Sequence, residues 1–417
     1  MDWKEYGIEE RFSNIDTETM EECNEAFERV EEIRDYNQIK VLNAFREVGV
    51  GTHHLLGSYG YGYGDIGRDT LDSLFAMIVG AEDALCRTQF MSGTHAIVTA
   101  LFGILRSGMK LLSVCGTPYD TIHTTLGFNG SGLGSLQEYG IIYDQIDLVN
   151  GKVNLKLLKE KVKGFDVVYI QRSSGYTLRD ALSLEEIKEI STTAKSVEED
   201  IIVVVDNCYG EFTRKSEPTS SGADLIIGSL IKNPGGGIAE TGGYIAGRKD
   251  LVELTANRLT APGVGREIGS NPLGYRNTYL GLYMATSVTA EALKSAIYAS
   301  CFFKKLGFET SPSFGSIRND IITIVKMETK ENLEVLCRAI QSSSPIDSFA
   351  VPTATDMPGY DSKVIMASGS FTAGSSIELS SDAPMKEPYY AFIQGGLSFI
   401  ASRYAFLKAA TLLKKDR

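Results

Sequence analysis

The sequence predicts an α/β protein in which a large domain with a mostly parallel sheet is followed by a smaller α+β domain. Three observations carry this prediction. Apolar strand-like runs alternate with helical patterns from residue 67 to 259. The 417 residues exceed the ~250–300 beyond which a single hydrophobic core stops growing. A long helical pattern over 277–304 then separates the alternating part from a shorter remainder and should link the two domains.

Apolar residues at helical spacing in a polar background (Phe27, Val30, Ile33, Ile39, Leu42, Phe45) predict one or two helices over 16–48. The stretch HHLLGSYGYGYGDIGRD, 53–69, is too glycine-rich for a helix and too irregular for a buried strand, so it reads as a contact loop. Helices are expected over 67–81, 93–106, 153–163, 183–196 and 249–259. The seven strands of the large sheet are expected over 84–90, 110–114, 141–146, 166–171, 201–206, 224–230 and 242–247. A glycine-containing loop, 261–275, precedes the long helix. The remainder predicts a strand at 320–328, a helix at 329–342, strands at 364–371 and 375–380, and a last helix at about 395–414. The expected organisation is a helical segment 1–52, a large domain 53–290 and a small domain 291–417.

A net charge of −12 argues against nucleic acid or an anionic membrane as partner. No uncharged apolar run reaches the ~18 residues of a membrane span. The start, MDWKEYGIEERFSNIDTETMEE, is acidic and lacks the apolar region of an export signal, so a cytoplasmic location is expected. Cys23, Cys86, Cys115, Cys208, Cys301 and Cys337 form no CxxC or close Cys/His spacing, so reduced thiols and no metal site are expected.

The chemistry concentrates where strands end. Lys232 follows the apolar run from Asp224 to Ile231 and precedes Asn233, Pro234 and three glycines, a placement in which burial should lower its pKa and make it nucleophilic. Asp206 ends the run IIVVVD, so a carboxylate and an amine reach one crevice. Ser92, Gly93 and Thr94 open the helix after CRTQFM, where free amides attract an anion. Tyr119, in CGTPYDT, falls at the same sheet edge and could stack on a flat ring. Pyridoxal phosphate requires this combination: anchorage for a dianion, a ring partner, a carboxylate for the pyridine nitrogen and an amine.

The runs GADLIIGSLIK, GGYIAG and VVVDN resemble those of fold-type-I pyridoxal-phosphate enzymes of cysteine and methionine metabolism. Together SGTHA, CGTPYDT, IQRSSGY, SLIKNPGGG and SSIELS resemble the methionine γ-lyase-like family associated with aluminium resistance, over about residues 55 to 400. The resemblance implies pyridoxal phosphate bound as a Schiff base to Lys232, which also shuttles the Cα proton, with Asp206 sustaining the electron sink. It implies that Tyr119 stacks on the ring and protonates a leaving thiolate, and that Ser92, Gly93, Thr94 and Ser229 bind phosphate. Tyr61 or Tyr63, with Arg68, would reach a neighbouring subunit's phosphate, making a homo-oligomer obligatory, as a dimer of shared sites or a tetramer. Gln171 and Arg172 would approach the cofactor's hydroxyl edge or the substrate carboxylate. Two departures stand out. Ile231 replaces a threonine, and the stretch 368–390 lacks the expected carboxylate-binding arginine and offers Lys386, with Arg403 or Arg172 as substitutes. The expected activity is a carbon–sulfur lyase acting by β- or γ-elimination on a sulfur-containing amino acid. An aminotransferase or other amino-acid enzyme on the same fold, or a non-catalytic regulatory protein, is the alternative.

Overall fold

The structure is a computed structural model and describes residues 1–128, 134–357 and 362–413. The large domain holds strands β1 (Asp83–Arg87), β2 (Lys110–Ser113), β3 (Ile142–Gln145), β4 (Val167–Gln171), β5 (Ile202–Asp206), β6 (Leu225–Ser229) and β7 (Gly243–Gly247). They form one seven-stranded sheet of order β1-β7-β6-β5-β4-β2-β3. β2 to β6 run parallel, and β7 lies antiparallel to both β1 and β6. Every residue of β4, β6 and β7 is buried, as expected of central strands covered by helices on both faces.

The helices are α1 (Glu10–Val48), α2 (Ile66–Val79), α3 (Gly93–Ile104), α4 (His123–Leu126), α5 (Leu155–Lys161), α6 (Leu184–Lys195), α7 (Lys249–Leu259), α8 (Arg276–Lys305), α9 (Lys330–Ser342) and α10 (Phe399–Leu412). The predicted one or two N-terminal helices are one helix of 39 residues. It joins both cores: Phe12, Phe27 and Val30 pack with the small domain, Val41 and Ala44 with the large sheet. Residue 290 falls inside α8, which runs unbroken from one domain into the other.

The small domain's sheet has the order β10-β11-β12-β9-β8, from β8 (Glu309–Ser311), β9 (Ile322–Lys326), β10 (Val364–Ser368), β11 (Ser380–Pro384) and β12 (Tyr390–Gln394). Here the register differs from the sequence expectation. The strand expected at 375–380 begins only at Ser380, and 375–379 form the approach to it. β12 was missed because its short apolar run merges with that of the final helix. Gly395 and Gly396, both at positive φ, break the two apart, and the helix starts at Phe399 rather than 395. The expected end of that helix, 414, lies outside the described residues. No helix among the described residues is long and apolar enough to cross a membrane.

Candidate active site

Asp206 and Lys232 meet because β5 and β6 are neighbours. Asp206, the last residue of β5, stands in register with Gln171 of β4 on one side and Ile227 of β6 on the other. Three residues past the end of β6 comes Lys232, where the chain turns through Asn233, Pro234 and Gly235. Gly235 is obligatory in this turn, since a Cβ there would stand 1.8 Å from the Leu230 carbonyl oxygen. The start of α3 closes the third side. A Cβ on Gly93 would lie 3.2 Å from that of Ser229, so glycine lets the helix terminus approach the strand end.

These elements enclose a cavity of about 270 Å³ lined by Ser92, Gly93, Thr94, Tyr119, Gln171, Asp206, Ser229 and Lys232 among others. Ser92 caps α3 by accepting from the His95 amide at 3.1 Å, while the amides of the first turn have no intrahelical acceptor. Thr94 Oγ1 lies 3.1 Å from Thr121 Oγ1. Gln171 Oε1 accepts from the Tyr119 amide at 2.7 Å, which fixes the aromatic loop over the sheet edge. His95 takes a bond from the Met91 amide through Nδ1 and so closes a turn.

Burial raises the Asp206 carboxyl above its ordinary pKa, with Lys232 opposing the shift. Its Oδ1 accepts from the Cys208 amide at 3.1 Å. The expectation for Lys232 needs correction. Burial alone would lower its pKa, but the neighbouring Asp206 carboxylate favours the charged amine, and the net direction is upward. The ammonium also lies 4.2 Å from the centroid of the Tyr209 ring, a cation–π contact. The amine therefore rests charged and must lose a proton before it can act as a nucleophile.

Several expected residues stand elsewhere. Arg172 is fully buried and does not line the cavity. Its guanidinium donates to Asn207 Oδ1 at 2.7 Å and to Thr213 Oγ1, and faces Glu217 at 3.6 Å, so it ties β4 to the segment after β5. Arg403 forms a two-pronged pair with Asp16 of α1, and Lys386 is exposed outside the cavity. Arg68 is buried under its own loop, where it donates to the Gly62 carbonyl at 2.9 Å and pairs with Asp69. Tyr61 and Tyr63 of that loop are 71% and 69% exposed.

Other lining residues were not anticipated. Cys208 and Tyr209 lie two and three residues after Asp206, and the strand-end rule that selects Asp206 extends to them. Tyr176 packs edge to face on Tyr119 with centroids 5.7 Å apart. Asp382, Phe392 and Gln394 come from β11 and β12 of the small domain, where the register was misread. No group of three metal-ligating side chains gathers among the described residues.

The strand order, with a lysine and an aspartate at adjacent strand ends and a second sheet closing over them, defines the class as the fold-type-I pyridoxal-phosphate architecture. The pyridoxal-5'-phosphate dependent protein YhfS of Escherichia coli shares the fold with a TM-score of 0.61 at 16% identity, over 91% of this chain and 97% of that one. Within this class the chain belongs to the methionine gamma-lyase family, which it matches over residues 12–414. It is 47% identical to a carbon-sulfur lyase involved in aluminum resistance from Clostridium novyi, with a TM-score of 0.94 over 98% of this chain and 97% of that one. It is also 43% identical to the uncharacterized protein YnbB of Bacillus subtilis over 93% of each.

Proposed function

We propose that this protein is a pyridoxal-phosphate-dependent carbon–sulfur lyase that acts on a sulfur-containing amino acid by β- or γ-elimination. The observation that carries this reading is the approach of Asp206 and Lys232 from adjacent strand ends into a cavity that also receives the start of α3. The likeness to the Clostridium novyi lyase supports the reaction class.

The donor set fits the cofactor. The first-turn amides of α3 with Ser92, Gly93, Thr94 and Ser229 would hold the phosphate. Asp206 would face the pyridine nitrogen, Tyr119 and Gln171 would flank the ring, and Lys232 would tether it as a Schiff base. Bound there, pyridoxal phosphate supplies an electron sink that acidifies the Cα–H bond of an amino acid. Asp206 would keep a proton at the ring nitrogen. Lys232, as a neutral amine, would take the Cα proton at Nζ. The phenol of Tyr119 hands a proton to the departing sulfur. The exposure of Tyr61 and Tyr63 supports an assembly, a dimer of shared sites or a tetramer, in which this loop reaches a neighbouring copy's phosphate site.

The test is to incubate the cofactor-loaded protein with L-cystathionine, L-cysteine or L-methionine and to assay keto acid and released thiol or sulfide together. Equal yields of the two are expected. A pyridoxamine product without thiol would mean amino transfer and overturn the reading. Lys232→Ala should lower turnover by about 10³-fold or more while far-ultraviolet circular dichroism stays unchanged.

A further inference from the structure

The small-domain sheet turns one face toward Lys232, and that face carries hydroxyls, an amide and a carboxylate. Register places Ser368, Ser380 and Gln394 in one cross-strand row, and Met366, Asp382 and Phe392 in the next. Between this face and Tyr209 lies a further cavity of about 470 Å³, with Ser375 on its wall. Ser375 and Ser380 are 3% and 5% exposed, and neither hydroxyl has a hydrogen-bond partner among the described residues. A buried hydroxyl left unpaired costs ~1–3 kcal/mol, so two of them lining one cavity point to a ligand that completes them. Asp382 takes the Gln394 side-chain amide at 3.0 Å, which orients its carboxylate on the wall. Asp347 adds a second acid, and Lys232 is the only cationic residue lining this cavity among the described residues.

Apart from Lys232, whose amine the reaction at Cα employs, this wall presents acids and hydroxyls with no cation among the described residues. A substrate ending in a carboxylate would meet like charge in a half-buried setting. One ending in an ammonium would pair with Asp382 and donate to the open hydroxyls. We propose that this face reads the distal end of the substrate and selects sulfur amino acids whose S-substituent ends in an ammonium group. Asp382 is the specificity-determining residue, and the Ser375 and Ser380 hydroxyls accept from the same ammonium group. That the substrate is an S-substituted amino acid rests on the lyase reading above; the selection by charge does not.

The experiment separates the two. L-lysine, L-norleucine and L-2-aminoadipate have the same chain length, differ in terminal charge and carry no sulfur to eliminate. Their binding to the cofactor-loaded protein is measured by calorimetric titration. Lysine should bind at least ~10-fold more tightly than 2-aminoadipate, about 1.4 kcal/mol. Asp382→Asn should bring the two within ~2-fold and leave norleucine unchanged, which also reports that the variant is folded. Ser380→Ala, a smaller change, should weaken lysine by a factor of ~5, as the loss of one hydrogen bond predicts. Preference for 2-aminoadipate, no discrimination, no measurable lysine binding, or a preference that survives both substitutions would overturn the proposal. Thiol release from S-(2-aminoethyl)-L-cysteine is assayed separately. Its absence alongside an intact lysine preference would sink the lyase reading and leave the wall's selectivity standing.

Discussion

The large-sheet edge and the small-domain sheet face bound the same cavities with different kinds of chemistry. On the edge, Asp206 and Lys232 are charged groups fixed at strand ends, with the α3 terminus aimed between them. On the face, neutral hydroxyls, an amide and Asp382 project from the middle and ends of β10, β11 and β12. The edge has the parts for a reaction at Cα that any amino acid could share. The face has the parts for choosing among amino acids. On the reading proposed above, chemistry common to a class would sit on the mostly parallel sheet, and selectivity on the sheet that closes over it.

Three substitutions would break or sharpen this contrast. The largest effect is expected at Asp206. Asp206→Asn removes the carboxylate but keeps the shape, so kcat should fall by about 10³-fold, about 4 kcal/mol, with cofactor content nearly unchanged. If kcat held while substrate affinity fell, the edge would be a binding surface and the contrast would fail. Arg172→Ala comes next, because Arg172 lies just beyond β4 yet outside the cavity. Leaving Glu217 buried without its partner should cost about 3 kcal/mol of stability in a denaturant melt, with KM of the folded fraction unchanged. A selective rise in KM would return Arg172 to the substrate site.

The smallest effect concerns Glu211, buried near Lys232, where it accepts from the Tyr244 hydroxyl at 2.7 Å. Burial pushes its pKa up to about 8 from an ordinary 4.5. Its folded pKa lies above its unfolded value, so the unfolded chain releases this proton first. Between those two values a rise in pH therefore favours unfolding. Glu211→Gln removes the titration and should raise Tm by about a few degrees at pH 8, with the gain closing toward pH 5. A gain that does not vary with pH would show that packing rather than ionisation is responsible.

The edge was legible in the sequence because its residues are local to strand ends. An apolar run that stops at Asp206, and another that stops shortly before Lys232, announce the carboxyl edge of a parallel sheet without any knowledge of partners. The same rule placed Ser92, Gly93 and Tyr119, and passed over Cys208 and Tyr209 only because they are less suggestive chemically. Arg172 shows the rule's limit. The residue after a strand points either into the crevice or back under the sheet, and one residue of register separates Gln171, which lines the cavity, from Arg172, which does not. Asp382 and Gln394 could not be read at all, since β11 was placed too early and β12 was merged with the following helix.

By itself the sequence determined the α/β class, the strands of the large sheet and the pair Asp206 and Lys232, because buried parallel strands and their ends are written in continuous apolar runs. Only the tertiary structure decided which basic residues face the cavity, the raised pKa of Lys232 and the serine and aspartate wall opposite it. Each of these depends on groups distant in the chain: Arg172 on Glu217, Arg403 on Asp16, and the Ser380 row on a register shared by β10, β11 and β12. Such pairings leave no periodic trace, since a half-exposed mixed strand carries the same residues whether it faces solvent or a substrate.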